Sequence, residues 1–93
     1  MIYEWDPEKA RANFKKYRLD LEEATTVFLD PLAITFPDMD HSAAESRELT
    51  IGCTIEGRLA FVSHCEREGR IRIISARPAT RSERKQYEEG IGG

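Results

Sequence analysis

Six arginines and one lysine lie between Arg67 and Lys85, opposed only by Glu68 and Glu83. The stretch carries a net charge of +5, while the remainder holds seven basic and fifteen acidic residues in a chain of formal charge −3. A guanidinium is a planar fork that grips a phosphate through two parallel hydrogen bonds. Fixed positive charge also stabilises a pentacoordinate phosphate as its negative charge builds. Arg77 closes an apolar run and Arg81 opens the first turn of a helix, whose backbone N–H groups add to anion affinity. Arg67 and Arg70 flank a turn. Two readings stand: the set meets an anionic ligand at one place, or it coats a solvated face and pairs with the many acids.

Other chemistry-bearing residues are sparse. His41 sits among Asp38 and Asp40, so it is a general acid or base oriented by a carboxylate, or a loop contact. His64 alternates with Ala60 and Val62 and shares their face, as a half-buried strand residue or a titrating one. Tyr87 lies two turns into the final helix. It packs on the core, or it stacks on a base or donates to a phosphate. No second histidine stands at ligand spacing from Asp38, Asp40 and His41, so no metal is expected. Cys53 and Cys65 form no CxxC pair and read as small buried thiols. GxSxG, P-loop and GxGxxG patterns are absent, and no cofactor is expected.

The elements that must position these residues fit a chain of 93 residues, one domain over 1–93 with a loose tail at 90–93. No apolar run reaches the ~18 residues needed to span a bilayer. The start "MIYEWDPEKA" carries acids where a signal peptide has bases. The expectation is a cytoplasmic protein with no membrane partner. "IYEW" is a short strand. Asp6 caps a helix with Pro7 at its first position, and Ala10, Asn13, Phe14 and Tyr17 mark its buried face. Asn13 bonds a neighbouring backbone group or faces a ligand. Asp20 and Glu23 have the form of a capping box, and Leu21, Ala24, Thr25 and Phe28 make the buried face of a second helix stopped by Pro31. Strands follow at Leu32–Phe36, Arg47–Ile55, Arg58–Cys65 and Arg70–Ala76, the last three joined by turns at 56–57 and 66–69. Thr80 and Glu83 in "TRSE" cap the last helix. The order β-α-α-β-β-β-β-α implies an α+β fold. Its sheet has about five strands, antiparallel or mixed, with two N-terminal helices on one face, and the basic strand and helix border the other.

Taken together, "YEWDPEKARANFKKY", "LEEATTVFLDPLA", "DHSAAESRELTIG" and "RIRIISARPATRSERKQYE" resemble the BrnT family of type II toxin–antitoxin toxins, from Tyr3 to about Glu89. The resemblance implies a RelE-like fold and a small metal-independent endoribonuclease that stops translation. In it the ribose 2′-OH attacks the adjacent phosphate and expels the 5′-oxygen. It further implies RNA as substrate, free or presented as message on a ribosome. The implied partner is a BrnA-like ribbon-helix-helix antitoxin, in a 2:2 heterotetramer that binds operator DNA. Relatives commonly read Lys-His-Gly after the first helix. Here the stretch is Lys16-Tyr17-Arg18, so Lys16 alone carries over. On this footing Arg67 and Arg77 are expected on the phosphate, Tyr87 or His41 near the proton transfers, and Lys16, Arg47, Arg70, Arg72, Arg81 and Arg84 on the RNA backbone. The rival expectation is a non-catalytic module whose basic strand and helix dock a partner protein or nucleic acid.

Overall fold

The computed structural model describes residues 2–40 and 46–92. Strand β1 (Ile2–Glu4) leads to Asp6, whose carboxylate accepts from the Glu8 N–H at 2.9 Å and caps α1 (Pro7–Tyr17). The helix closes on Arg18, a left-handed residue (φ 55°) whose N–H reaches the Phe14 carbonyl at 2.7 Å. Asp20 caps α2 (Leu21–Ala24) by accepting from the Glu22 N–H. The expected capping box does not form there. The Glu23 carboxylate turns away to accept from Thr54 Oγ1 (2.7 Å) and from the Arg58 guanidinium, and the Arg58 hydrogen bonds hold it below the usual carboxylate range. This clamp ties a distant hairpin to the helical layer.

The second helix is also shorter than its pattern predicts. After Ala24 it tightens into a 3₁₀ turn over Thr25–Leu29. The hydroxyls of Thr25 and Thr26 donate back to the carbonyls of Glu22 and Glu23, and a β-branched run crowds a wider helix.

Strands β2 (Ile34–Pro37), β3 (Arg47–Cys53), β4 (Leu59–Arg67) and β5 (Arg70–Pro78) complete a five-stranded sheet of order β1-β5-β4-β3-β2. It is mixed: β1 runs parallel to β5 and every other pairing is antiparallel. The β4–β5 turn places Glu68 and Gly69 at φ 54° and 77°, the two positive values a tight hairpin requires.

One sheet face packs on α1, α2 and the 3₁₀ turn. Leu19, Leu21, Ala24, Val27, Ala60, Val62, Ile73 and Ala76 form its core. Asn13 is the buried polar stitch: its Nδ2 donates to the Leu19 carbonyl (3.0 Å) and its Oδ1 accepts from the Ala76 N–H (3.1 Å). This settles it as a structural residue. Phe14, expected inside, is 45% exposed. Helix α3 (Arg81–Gly92) lies on the other sheet face and includes residues that the sequence pattern gives to a loose tail. No helix among the described residues is long and apolar enough to cross a membrane.

Candidate active site

Strand alternation and register decide where the arginines go. Arg47 stands opposite Cys65, Cys65 opposite Arg72, Arg67 opposite Arg70, and Phe61 opposite Arg77. Residues 61, 63, 65 and 67 share one face of β4, so Arg47, Arg67, Arg70, Arg72 and Arg77 all lie on the sheet face turned away from α1. Glu4 is in register with Arg72 and approaches Arg70 Nη1 at 3.9 Å.

The face carries the positive charge in two groups. Arg72 and Arg77 oppose β4 residues four positions apart, roughly 13 Å at the usual strand rise. Arg47, Arg67, Arg70 and Arg72 occupy the end near the β4–β5 turn, with Arg67 and Arg70 exposed. Arg77 occupies the other end, where α3 crosses.

Arg77 is fully engaged. Its Nη1 and Nη2 each donate to Glu83 at 2.8 Å, and its guanidinium carbon stands 4.2 Å from the Phe61 ring centre. Glu83 also accepts from the Thr80 N–H (2.9 Å), while its own N–H reaches Thr80 Oγ1 (3.2 Å), completing the capping box the sequence pattern predicts. Burial pushes the Glu83 carboxyl up, but the Arg77 and Thr80 hydrogen bonds outweigh it and hold it below the usual range.

Tyr87 anchors the far part of α3. Its hydroxyl donates to Asp30 Oδ2 at 2.7 Å, and burial together with that carboxylate pushes the phenol up to about 12. A phenol so raised is a poor proton donor near neutral pH. Asp30 also accepts from the N–H groups of Cys53 (2.8 Å) and Leu32 (2.9 Å). Burial raises its carboxyl, these bonds lower it, and the net shift is downward.

The remaining expected residues divide plainly. Arg81 and Arg84 lie exposed on α3. Lys16 stands on α1, in the layer behind the sheet, with Nζ 5.1 Å from the Tyr17 ring centre. His41 lies outside the described residues. His64 faces the core, its Nε2 2.7 Å from Thr50 Oγ1 and its ring edge-on to Phe28; burial lowers it to about 4, so it stays neutral. Among the described residues no three of His, Cys, Asp or Glu come together to hold a metal ion.

Sequence reasoning passed over Phe36, Phe61, Ser63 and Ser75, which register puts on the arginine face. The signal was present: Phe61 and Ser63 alternate out of phase with Ala60, Val62 and His64.

A family model described as the ribonuclease toxin, BrnT, of type II toxin–antitoxin system matches residues 5–83. Among solved structures, the Brucella abortus ribonuclease toxin BrnT, determined at 1.1 Å, superposes with a TM-score of 0.68 at 22% identity. The superposition covers 87% of this chain and 100% of that one, a likeness of fold. No match to a curated protein was found.

Proposed function

The chain belongs to the BrnT family of type II toxin–antitoxin ribonuclease toxins, and from that premise we propose that it is a metal-independent endoribonuclease acting through the arginine face of its sheet. The observation that carries this reading is the register that sets five guanidiniums on one face. Arg47, Arg67, Arg70 and Arg72 hold the RNA backbone and the scissile phosphate. The 2′-oxygen attacks phosphorus, the bond to the 5′-oxygen breaks, and the products are a 2′,3′-cyclic phosphate and a 5′-hydroxyl. The guanidiniums neutralise the phosphorane without giving up protons, because their ordinary acidity is far too weak. The proton-transfer role proposed for His41 rests on its neighbours Asp38 and Asp40 in sequence.

Arg77 and Tyr87 take a different part in this proposal from the one their sequence positions suggest. They fix α3 across the sheet, while Arg81 and Arg84, exposed on α3, present charge to the strand as it leaves the cleavage point. The partner is a ribbon-helix-helix antitoxin that neutralises the toxin in a 2:2 assembly and carries it to operator DNA. The rival reading, a binding module that cuts nothing, draws its support from the engagement of Arg77 by Glu83.

Induced expression tests the assignment. The parent chain is expected to arrest growth and leave 2′,3′-cyclic phosphate ends. The Arg47→Ala/Arg72→Ala pair is expected to abolish both in a protein that still unfolds cooperatively, at a cost to the rate of roughly 10²–10³ per lost phosphate contact. Undiminished growth arrest by that pair overturns the assignment, and a parent that shifts RNA without cutting it returns the function to a binding module.

A further inference from the structure

Between the two arginine groups lies a row of side chains that the ribonuclease reading does not use. Phe36 opposes Leu49, Leu49 opposes Ser63, and Ser63 opposes Ser75, so the four cross the sheet on the arginine face. On one side the next row is Ile34, Ile51, Phe61 and Arg77, where α3 crosses and Ile51 is wholly buried. On the other side stand Arg47, Cys65 and Arg72. The row therefore runs across the sheet between α3 on one side and guanidiniums on the other.

The composition of that row is unusual for a surface meant only for water. Phe36 and Phe61 meet edge to face, ring centres 6.5 Å apart at 61°, and both stay half-buried. The Arg77 guanidinium covers Phe61, which leaves Phe36 as the ring whose face is not stacked by a cation. Ser75 is exposed and Ser63 half-exposed, so the far end of the row offers hydroxyl groups.

We propose that Phe36 is a stacking platform for one unpaired nucleobase, with Ser63, two strands away, hydrogen-bonding its ribose while the arginines of the Arg47–Arg72 group hold the adjoining phosphates. This rests on the ribonuclease reading and makes its substrate single-stranded. Any base offers a π-face to an aromatic ring, and the guanidiniums of the Arg47–Arg72 group hold the backbone beside it. A duplex keeps its bases stacked inside and has no face to present to Phe36. The row sits beside the Arg47–Arg72 group, so a base held there fixes the strand next to the phosphate those residues grip.

The test uses the full chain and a fluorescent oligoadenylate whose 2′-hydroxyls are methylated, so that it binds and is not cut. Phe36→Leu keeps an apolar side chain at the position; it loses the ring pair with Phe61, about 0.5–1.5 kcal/mol, and is expected to remain folded at the assay temperature. It should weaken binding by about 10-fold or more, the equivalent of one stacked base, and Phe36→Trp should restore it. With a cleavable strand, KM should rise while kcat changes little. Binding and KM equal to the parent in Phe36→Leu overturn the platform while leaving the ribonuclease reading intact, as does equal affinity for a duplex of the same sequence. Should the parent bind the oligonucleotide but never cut RNA, the ribonuclease reading fails, and a loss on Phe36→Leu still supports the platform.

Discussion

Glu83→Gln should unfold this protein at a markedly lower temperature, because one carboxylate does two jobs. It accepts both Arg77 donors at 2.8 Å and caps α3 through the Thr80 N–H. The Arg77 and Glu83 side chains are 33% and 16% exposed, so the pair lies between two regimes. Exposed pairs contribute less than about 1 kcal/mol, and breaking fully buried ones costs about 3–5. A value near 2 kcal/mol suits the pair, and the cap adds little because Gln at this position can still accept from the Thr80 N–H. Unfolding entropy of about 2 cal/mol/K per residue converts each kcal/mol into roughly 5 °C, so the melting temperature should fall by roughly 10 °C. Thermal melts followed by circular dichroism at neutral pH measure this, and a cycle with Arg77→Met isolates the pairwise part, expected at about 1 kcal/mol or more. The pH dependence has a defined sign. Glu83 is lowered from the ordinary glutamate value of 4.5, so its contribution is complete above 4.5 and drains away as pH falls through the lower folded value. A melting temperature within about 2 °C of the parent, or a coupling near zero, refutes the clamp. If Arg77 acted only as a phosphate ligand, Arg77→Met would leave the melt unchanged.

Three further outcomes follow from the geometry. Tyr87→Phe removes one hydrogen bond to Asp30 and should cost about 1 kcal/mol in a denaturant titration while induced cells still stop growing; loss of growth arrest without loss of stability would return Tyr87 to the chemistry. Asn13→Ala strands the Leu19 carbonyl and the Ala76 N–H and should cost about 2–3 kcal/mol in the same titration. His64, lowered from 6.5 to about 4, should show no imidazole titration by NMR between pH 5 and 8. Because the unfolded chain takes up that proton first, stability should decline from pH 6.5 towards 4 by about 2–3 kcal/mol.

The stability and activity outcomes separate because the arginines have unequal surroundings. Arg77 is held by a carboxylate on an element six residues away in sequence. Arg67 and Arg70 stand at a turn, exposed, and the Arg70–Glu4 ion pair there is worth little to folding. Substitutions at the turn end should therefore move function more than the melt, and those under α3 the melt at least as much as function.

Residue order alone determined most of the elements of this protein and the face that side chains take along its strands. Asp6 with Pro7, the Thr80–Glu83 box and the Glu68–Gly69 turn act within a few residues, so their chemistry is legible without a partner. Alternation in β4 likewise sets Phe61, Ser63, Cys65 and Arg67 apart from Ala60, Val62 and His64. The tertiary structure decided what lies opposite what. Glu23 left its expected cap for Thr54 and Arg58, more than thirty residues on; Phe14 came to the surface; and one run of basic residues became two groups on a single face. Register, strand order and the docking of α3 are long-range choices made by burial of the whole sheet, and a short stretch of chain carries no record of its distant neighbour.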